Sequence, residues 1–374
     1  MAQDVTTIER IAARPIGVEP NAIEDEFARI WRETAGDTYD ASSIRLRVLN
    51  LVAIANAADA EARYERVMEA MPQRYPCRGI LALLDPAAAD VTASISAHCW
   101  SSSAGGRHVC SEEVLLRGGP AQGRAVASAV LALLVPEVPV DVWLIGPPEL
   151  QGELLDEVLE AADRLLLDSA AAADASSAYR DALAIGSDRG LAVCDLAWHR
   201  LVAWRTLAAQ LFDREGARQE LTRLQSIEIA GGAGRLSSEA LLLAGWFVSR
   251  LGLSPADVSV RGGGFEATLY DGTRGIRLAV SPGDSAMRSV RIRTQNALFL
   301  VESHEANGHM HVREEWPDAA PHRTVAMRPV DDASVVVEAL DDPDDASVFI
   351  DAMRAALTLS ESAVDATGSP PASA

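Results

Sequence analysis

Between residues 46 and 167 the chain alternates short apolar runs with amphipathic stretches. Between residues 258 and 315 it instead strings six β-patterned segments together with no helical pattern among them. That change of texture constrains the fold more than any single motif. Strands alternating with helices build a layered α/β unit. Consecutive strands with period-two patterning build an antiparallel sheet with one solvated face. Val290, Ile292 and Thr294 alternate with Arg291 and Arg293 in this way. The expected fold class is α/β: an amino-terminal layered α/β domain with an edge hairpin, followed by an α+β domain with a mainly antiparallel sheet.

The first half predicts strands over 46–56, 78–84, 138–145 and 165–167, with helices over 58–71, 122–134 and 150–164. Segments 91–100 and 108–116 flank Gly105-Gly106, whose turn chemistry predicts a hairpin. Asn21 can cap a helix carrying Ile23, Phe27, Ile30 and Trp31. Further on, helices are expected over 175–185, 195–215 and 237–251, a strand over 226–230 followed by a turn at 231–234, and two closing helices over 333–340 and 346–357. The expected division is an irregular arm over 1–20, an α/β domain over 21–180, an α+β domain over 181–359 and a disordered tail over 360–374. The tail is small-residue-rich and contains proline.

A chain of 374 residues has room for two domains, each with its own core. The net charge is −21 and all 33 basic residues are arginine, since the chain has no lysine. Strong negative charge disfavours phosphate-backbone binding, so nucleic acid is an unexpected partner. Without lysine there is no Schiff base and no P-loop lysine. The apolar stretch over 127–145 is broken by Pro136, Glu137, Pro139 and Asp141, so it does not read as a membrane helix. No signal-peptide pattern opens the sequence, and a cytoplasmic location is expected. Cys77, Cys99, Cys110 and Cys194 are too few and too scattered for a secreted disulfide framework.

The segment DLAWHRLVAWRTLAAQLFD, residues 195–213, is the most distinctive. Asp195 can cap a helix on which Trp198, Leu201, Trp204, Ala208 and Leu211 share one face. Arg200 and Arg205 project beside it. Tryptophan and arginine are the residues that most often anchor protein interfaces, and the same pattern also suits an ordinary amphipathic helix on its own core. The residues alone leave both readings open.

The wording of that helix resembles the signature of the OpcA family, the glucose-6-phosphate dehydrogenase assembly proteins. Other segments are similar in the same order: Arg47 to Val52, Tyr75-Pro76-Cys77-Arg78-Gly79-Ile80, Cys110-Ser111-Glu112-Glu113, Leu134 to Val140 with Trp143 and Gly146-Pro147-Pro148, Arg164 to Ser169, and Leu241 to Trp246. Tyr75 and His199 depart from the family pattern, which usually has a histidine and a small polar residue there. The resemblance implies a non-catalytic, cofactor-free factor that binds glucose-6-phosphate dehydrogenase and favours its active oligomer. Trp198, Arg200, Trp204 and Arg205 are the candidate contact residues, with Arg78 second in rank. The alternative function is an enzyme or sensor binding a sugar phosphate or nucleotide in the α/β domain, at the carboxyl ends of its strands.

The remaining constellations are weaker. His98, Cys99, His108 and Cys110 could supply zinc ligands, but neighbouring strand residues point to opposite faces, so no metal is expected. A reversible Cys99–Cys110 disulfide across the hairpin is easier to form, and redox control occurs among cyanobacterial members of the resembled family. The glycines at 231–234 and 262–264 read as turns, and the acidic run at 341–345 reads as a solvated junction. His304, His309 and His311 with Glu302 and Glu305 are the best remaining metal candidates, though exposed strand histidines are commoner. G-x-S-x-G, H-E-x-x-H and G-x-G-x-x-G after a strand are all missing, so no catalytic set is expected.

Overall fold

The computed structural model describes residues 8–9, 16–35, 47–55, 59–71, 74–101, 108–148, 150–233, 236–283, 287–304, 308–327, 331–341 and 346–368. In chain order the elements are β1 (Ile8–Glu9), β2 (Ile16–Val18), α1 (Ile23–Ala35), β3 (Leu49–Ala55), α2 (Ala60–Ala70), β4 (Cys77–Leu84), β5 (Thr92–Ser101), β6 (His108–Gly118), α3 (Gly123–Leu133), β7 (Val140–Ile145), α4 (Glu153–Leu159), β8 (Arg164–Leu167), α5 (Ala175–Arg189) and β9 (Ala192–Asp195). They continue with α6 (Leu196–Arg200), α7 (Val202–Gln210), α8 (Glu215–Glu220), β10 (Leu224–Ala233), α9 (Ser238–Arg250), β11 (Ser254–Arg261), β12 (Gly264–Tyr270), β13 (Gly275–Gly283), β14 (Ser289–Thr294), β15 (Leu298–His304), β16 (His309–Glu315), β17 (His322–Ala326), α10 (Asp332–Asp341) and α11 (Ala346–Gly368).

The chain forms two compact units. Unit 1 comprises Met1–Ala171, Ala184–Cys194 and Asp331–Asp341; unit 2 comprises Ala172–Leu183, Asp195–Val330 and Asp342–Ala374. A single division near 180 is expected from sequence, whereas the chain returns to unit 1 with α10. That helix packs on α2, and Arg63 of α2 pairs with Asp332 at 2.7 Å. A hydrophobic pattern marks which helix face is buried but does not say against which element, so this return left no trace in the sequence.

The sheet of unit 1 runs β1-β5-β6-β4-β3-β7-β8-β9, with β2 also on β5. Strands β6, β4, β3, β7 and β8 are parallel neighbours, and β5 folds back antiparallel on β6 as the expected hairpin. Buried on both faces, β3 and β7 read as near-continuous apolar runs, LNLVAIA and VDVWLI. Asn50, fully buried in β3, donates to the Val135 carbonyl at 2.9 Å and accepts from the Val135 amide at 2.8 Å. Its side chain thereby stands in for a missing backbone partner where the chain leaves α3.

Unit 2 carries an eight-stranded sheet in the order β11-β12-β13-β10-β14-β15-β16-β17. Among the described residues every registered pair is antiparallel except β10–β13. The layered α/β unit followed by a mainly antiparallel α+β unit is the expected fold class. In β14 the buried Val290, Ile292 and Thr294 alternate with Arg291 and Arg293. Gly262 and Gly263, both at positive φ, form the two-residue turn between β11 and β12, where left-handed backbone matches the strand twist. The turn expected at 231–234 is instead largely strand: β10 runs on to Ala233 through a register shift after Ala230.

Helices α9 and α11 pack closely at Gly245, where an added Cβ would lie 2.1 Å from the Ala352 carbonyl oxygen. The tail expected to be disordered from residue 360 is helical up to Gly368. Once α11 is nucleated by its buried Phe349, Met353, Ala356 and Leu359, extending it adds one hydrogen bond for each residue ordered.

Candidate functional site

Strand β9 runs directly into α6. The Asp195 carboxylate accepts from the Ala197 amide at 2.9 Å, so the expected cap is present. The single helix expected over 195–215 is two, because at Leu201 the amide bonds back to the Trp198 carbonyl, three residues earlier, at 3.1 Å. The four-residue ladder resumes when the Arg205 amide reaches the Leu201 carbonyl at 2.9 Å. Despite the break, Trp198, Leu201, Trp204, Ala208 and Leu211 all face inward and are buried.

Trp198 and Trp204 are 2% and 3% exposed. The Trp198 ring packs 5.5 Å from the ring of Phe349 on α11, and the Arg205 guanidinium lies 3.5 Å from its centroid. That is a close cation–π stack, and it fixes the arginine at the rim of the core. Arg205 also donates to the Trp198 carbonyl at 3.4 Å. Arg200 is partly buried and pairs with Glu239, in the first turn of α9, at 3.2 Å. The two tryptophans therefore support the segment from beneath, and Arg200 and Arg205 reach solvent at its edge. Val202, not among the expected contact residues, is 42% exposed. Val202 shares a face with the exposed Thr206 and Ala209, at the four- and seven-residue spacings of one helix side.

Arg78 is placed elsewhere. It lies on β4, 2% exposed, and its guanidinium donates to Glu112 on the register-paired position of β6, to Glu24 on α1, and to the Leu133 carbonyl at 2.8 Å. The Phe27 ring lies 5.5 Å from it. Arg78 therefore presents no surface to a partner, contrary to the contact role offered from sequence. A buried charge is retained only when paired, and this one ties α1 and the end of α3 to the sheet. Burial pushes the Glu112 carboxyl up, but Arg78 and Arg47 outweigh it and hold that carboxyl below its ordinary range.

Cys99 and Cys110 are directly opposed in the β5–β6 register; their side chains, with those of His98 and His108, lie outside the described residues. His98 registers with Ser111 and His108 with Ser101, so the four candidate ligands do not form two facing pairs. Cys77 is a buried thiol whose pKa burial pushes up to about 12, which leaves it unreactive. In unit 2, His304 registers with His309 and His311 with Glu302, and the His304 side chain is outside the described residues. No group of three or more metal-ligating side chains occurs among the described residues. The glycine segment at 234–235 and most of the acidic run, 342–345, also lie outside them.

Two family models match the chain. One, described as the glucose-6-phosphate dehydrogenase subunit N-terminal domain, covers residues 68–184; the other, described as the C-terminal domain of that subunit, covers residues 191–353. The chain belongs to the OpcA family. A relative from Synechococcus elongatus, named as the OxPP cycle protein OpcA, is 31% identical over 197 residues, covering 51% of this chain and 43% of the relative. One of the same name from Synechocystis is 26% identical over 268 residues, covering 70% of this chain and 55% of the relative. The chain thus spans about half the length of the curated relatives it matches. Among solved structures, the 3-ketoreductase KijD10 from Actinomadura kijaniata, crystallised with NADP and TDP-benzene, has a TM-score of 0.51 at 14% identity, over 86% of this chain and 98% of that one. An aldose–aldose oxidoreductase from Caulobacter crescentus has a TM-score of 0.50 at 12% identity, over 85% and 98%. At these identities the likeness concerns the fold alone.

The OpcA signature thus maps onto a mostly internal arrangement. The matched tryptophans are core residues; Phe349 of α11 packs on Trp198, and Glu239 of α9 holds Arg200. Neither could have been found by spacing, because each lies far along the chain from the residue it touches. No helix among the described residues is long and apolar enough to cross a membrane.

Proposed function

We propose that this chain acts as a non-catalytic assembly factor and allosteric activator of glucose-6-phosphate dehydrogenase, favouring the active oligomer and so supporting the oxidative pentose phosphate pathway. The observation that carries the reading is the pair of family models, which between them account for most of both units. An activator must bind the active state of its target more tightly than the inactive one. The segment suits such a contact: it exposes Val202, and it carries Arg200 and Arg205 held by Glu239 and Trp198. Arginine beside exposed apolar surface is a frequent interface composition.

The test is dehydrogenase kinetics with and without the purified protein, together with size-exclusion co-elution. The expected result is a lower half-saturating glucose 6-phosphate concentration and a shared elution peak. An unchanged substrate response with no complex would end the proposal.

A further inference from the structure

The strand order β6-β4-β3-β7-β8-β9 of unit 1 is the 3-2-1-4-5-6 order of a dinucleotide-binding sheet. In such sheets the pyrophosphate lies on the turn after the central strand, here the turn from β3 to α2, and an acid beyond the next strand takes the ribose hydroxyls. The fold thus implies a dinucleotide, and the residues at each of these positions can be tested against one.

They do not fit. Strand β3 ends at Ala55 and α2 begins at Ala60, and the sequence that joins them, Asn56-Ala57-Ala58-Asp59, contains no glycine. The fingerprint needs glycine to turn tightly and to let the backbone approach the pyrophosphate, and Glu61 adds a carboxylate to the first turn of α2. An anion at that helix end repels the phosphates that the turn would otherwise attract.

The ribose position is filled differently. Asp85 follows β4 where an acid would take the ribose, but Arg117 of β6 donates to it at 2.9 Å and also pairs with Glu61. The second Asp85 oxygen accepts from the Ala87 amide at 2.8 Å. The three side chains make a bridge across the end of β4. At the carboxyl ends of β3 and β7 there is a cleft of about 170 Å³, small beside the 300–1,000 Å³ usual for ligand pockets. Glu153 is the one charged side chain among its described lining residues, and the nearby Arg124 is already paired with Glu153 at 3.2 Å and with Glu157.

We infer that unit 1 is a dinucleotide-type sheet that excludes the dinucleotide, its adenosine side closed by the chain's own Glu61–Arg117–Asp85 bridge. The inference stands independently of dehydrogenase activation, because an activator with or without a bound dinucleotide gives the same kinetic assay. It also counts against the nucleotide-sensor alternative raised from sequence. The test is titration of the full chain with NADPH and NADH, followed by dihydronicotinamide fluorescence, and with NADP and NAD by calorimetry, alongside the melting temperature. The expected result is a cooperative melt whose midpoint none of the four moves, with no saturable fluorescence or heat. Saturable one-to-one binding of any of them, with a rise in melting temperature, would overturn the inference.

Discussion

Replacing Arg78 by alanine isolates the cost of a buried charge in unit 1. In the intact protein the guanidinium satisfies Glu112, Glu24 and the Leu133 carbonyl together, and both Arg78 and Glu112 are 2% exposed. The variant takes the main counter-charge from the buried Glu112, which keeps Arg47, and takes that donor from the Leu133 carbonyl. Breaking a buried pair from one side costs about 3–5 kcal/mol. Arg47 still compensates Glu112 in part, so about 4 kcal/mol is expected, or a fall in melting temperature of about 12 °C for a unit of this size. Removing both charges, as Arg78→Met with Glu112→Leu, should come within about 2 kcal/mol of the parent, because no uncompensated buried charge remains. The single-variant deficit should also depend on pH. In the parent, the depressed Glu112 contributes stability present above its unfolded value near 4.5 and lost as pH falls through the lower folded value. In Arg78→Ala the main counter-charge is gone, and burial raises the Glu112 pKa. Protonation then relieves the strain, so the deficit should shrink as the medium is acidified. Urea unfolding followed by circular dichroism, at neutral pH and again under acid, measures both effects. A deficit below ~1 kcal/mol at neutral pH, or one that grows on acidification, would refute the reasoning.

Four further outcomes are expected. Glu220, whose carboxyl is drawn down to about 2 because hydrogen bonds from Thr294, Asn296 and Arg223 outweigh its burial, contributes stability that is lost as pH falls from 4.5 towards that value. Glu220→Gln should cost about 2 kcal/mol at neutral pH and progressively less under acid, read from denaturation midpoints. Gly245→Ala should destabilise unit 2 by about 3 kcal/mol, since the new methyl meets the α11 backbone; a variant melting with the parent would show that the helices can separate at no cost. Val202→Ser, at an exposed position, should weaken dehydrogenase activation while changing the melting temperature little; Arg200→Ala should lower stability as well, because the buried Glu239 loses its ion pair, and Trp198→Ala should cost about 4 kcal/mol from core loss. Non-reducing peptide mass mapping after mild oxidation should recover a Cys99–Cys110 disulfide, because directly opposed strand positions hold their Cα atoms within the span a disulfide bridges; free thiols in both peptides would remove the redox proposal.

Though it missed the edge strands β9 and β17, and β1 and β2 lie in a stretch that reads as an irregular arm, the sequence by itself determined the fold class, most strands of both sheets, the β5–β6 hairpin and the glycine turn at 262–263. Each depends on local chemistry: period-two alternation, continuous apolar runs for strands buried on both faces, and residues that tolerate positive φ. The inward face of the Trp–Arg segment was legible for the same reason. Tertiary structure alone decided what each charged or aromatic side chain does there. Arg78 reads as a surface arginine until Glu112 and Glu24 close over it, and Arg205 becomes a rim residue because Trp198 lies beneath its guanidinium. The return of α10 to unit 1 and the Glu61–Arg117–Asp85 bridge join residues 32 to 269 positions apart. Periodicity records which side of an element avoids water. The partner that covers that side, and so the energy of any charge upon it, is set by elements the pattern cannot see.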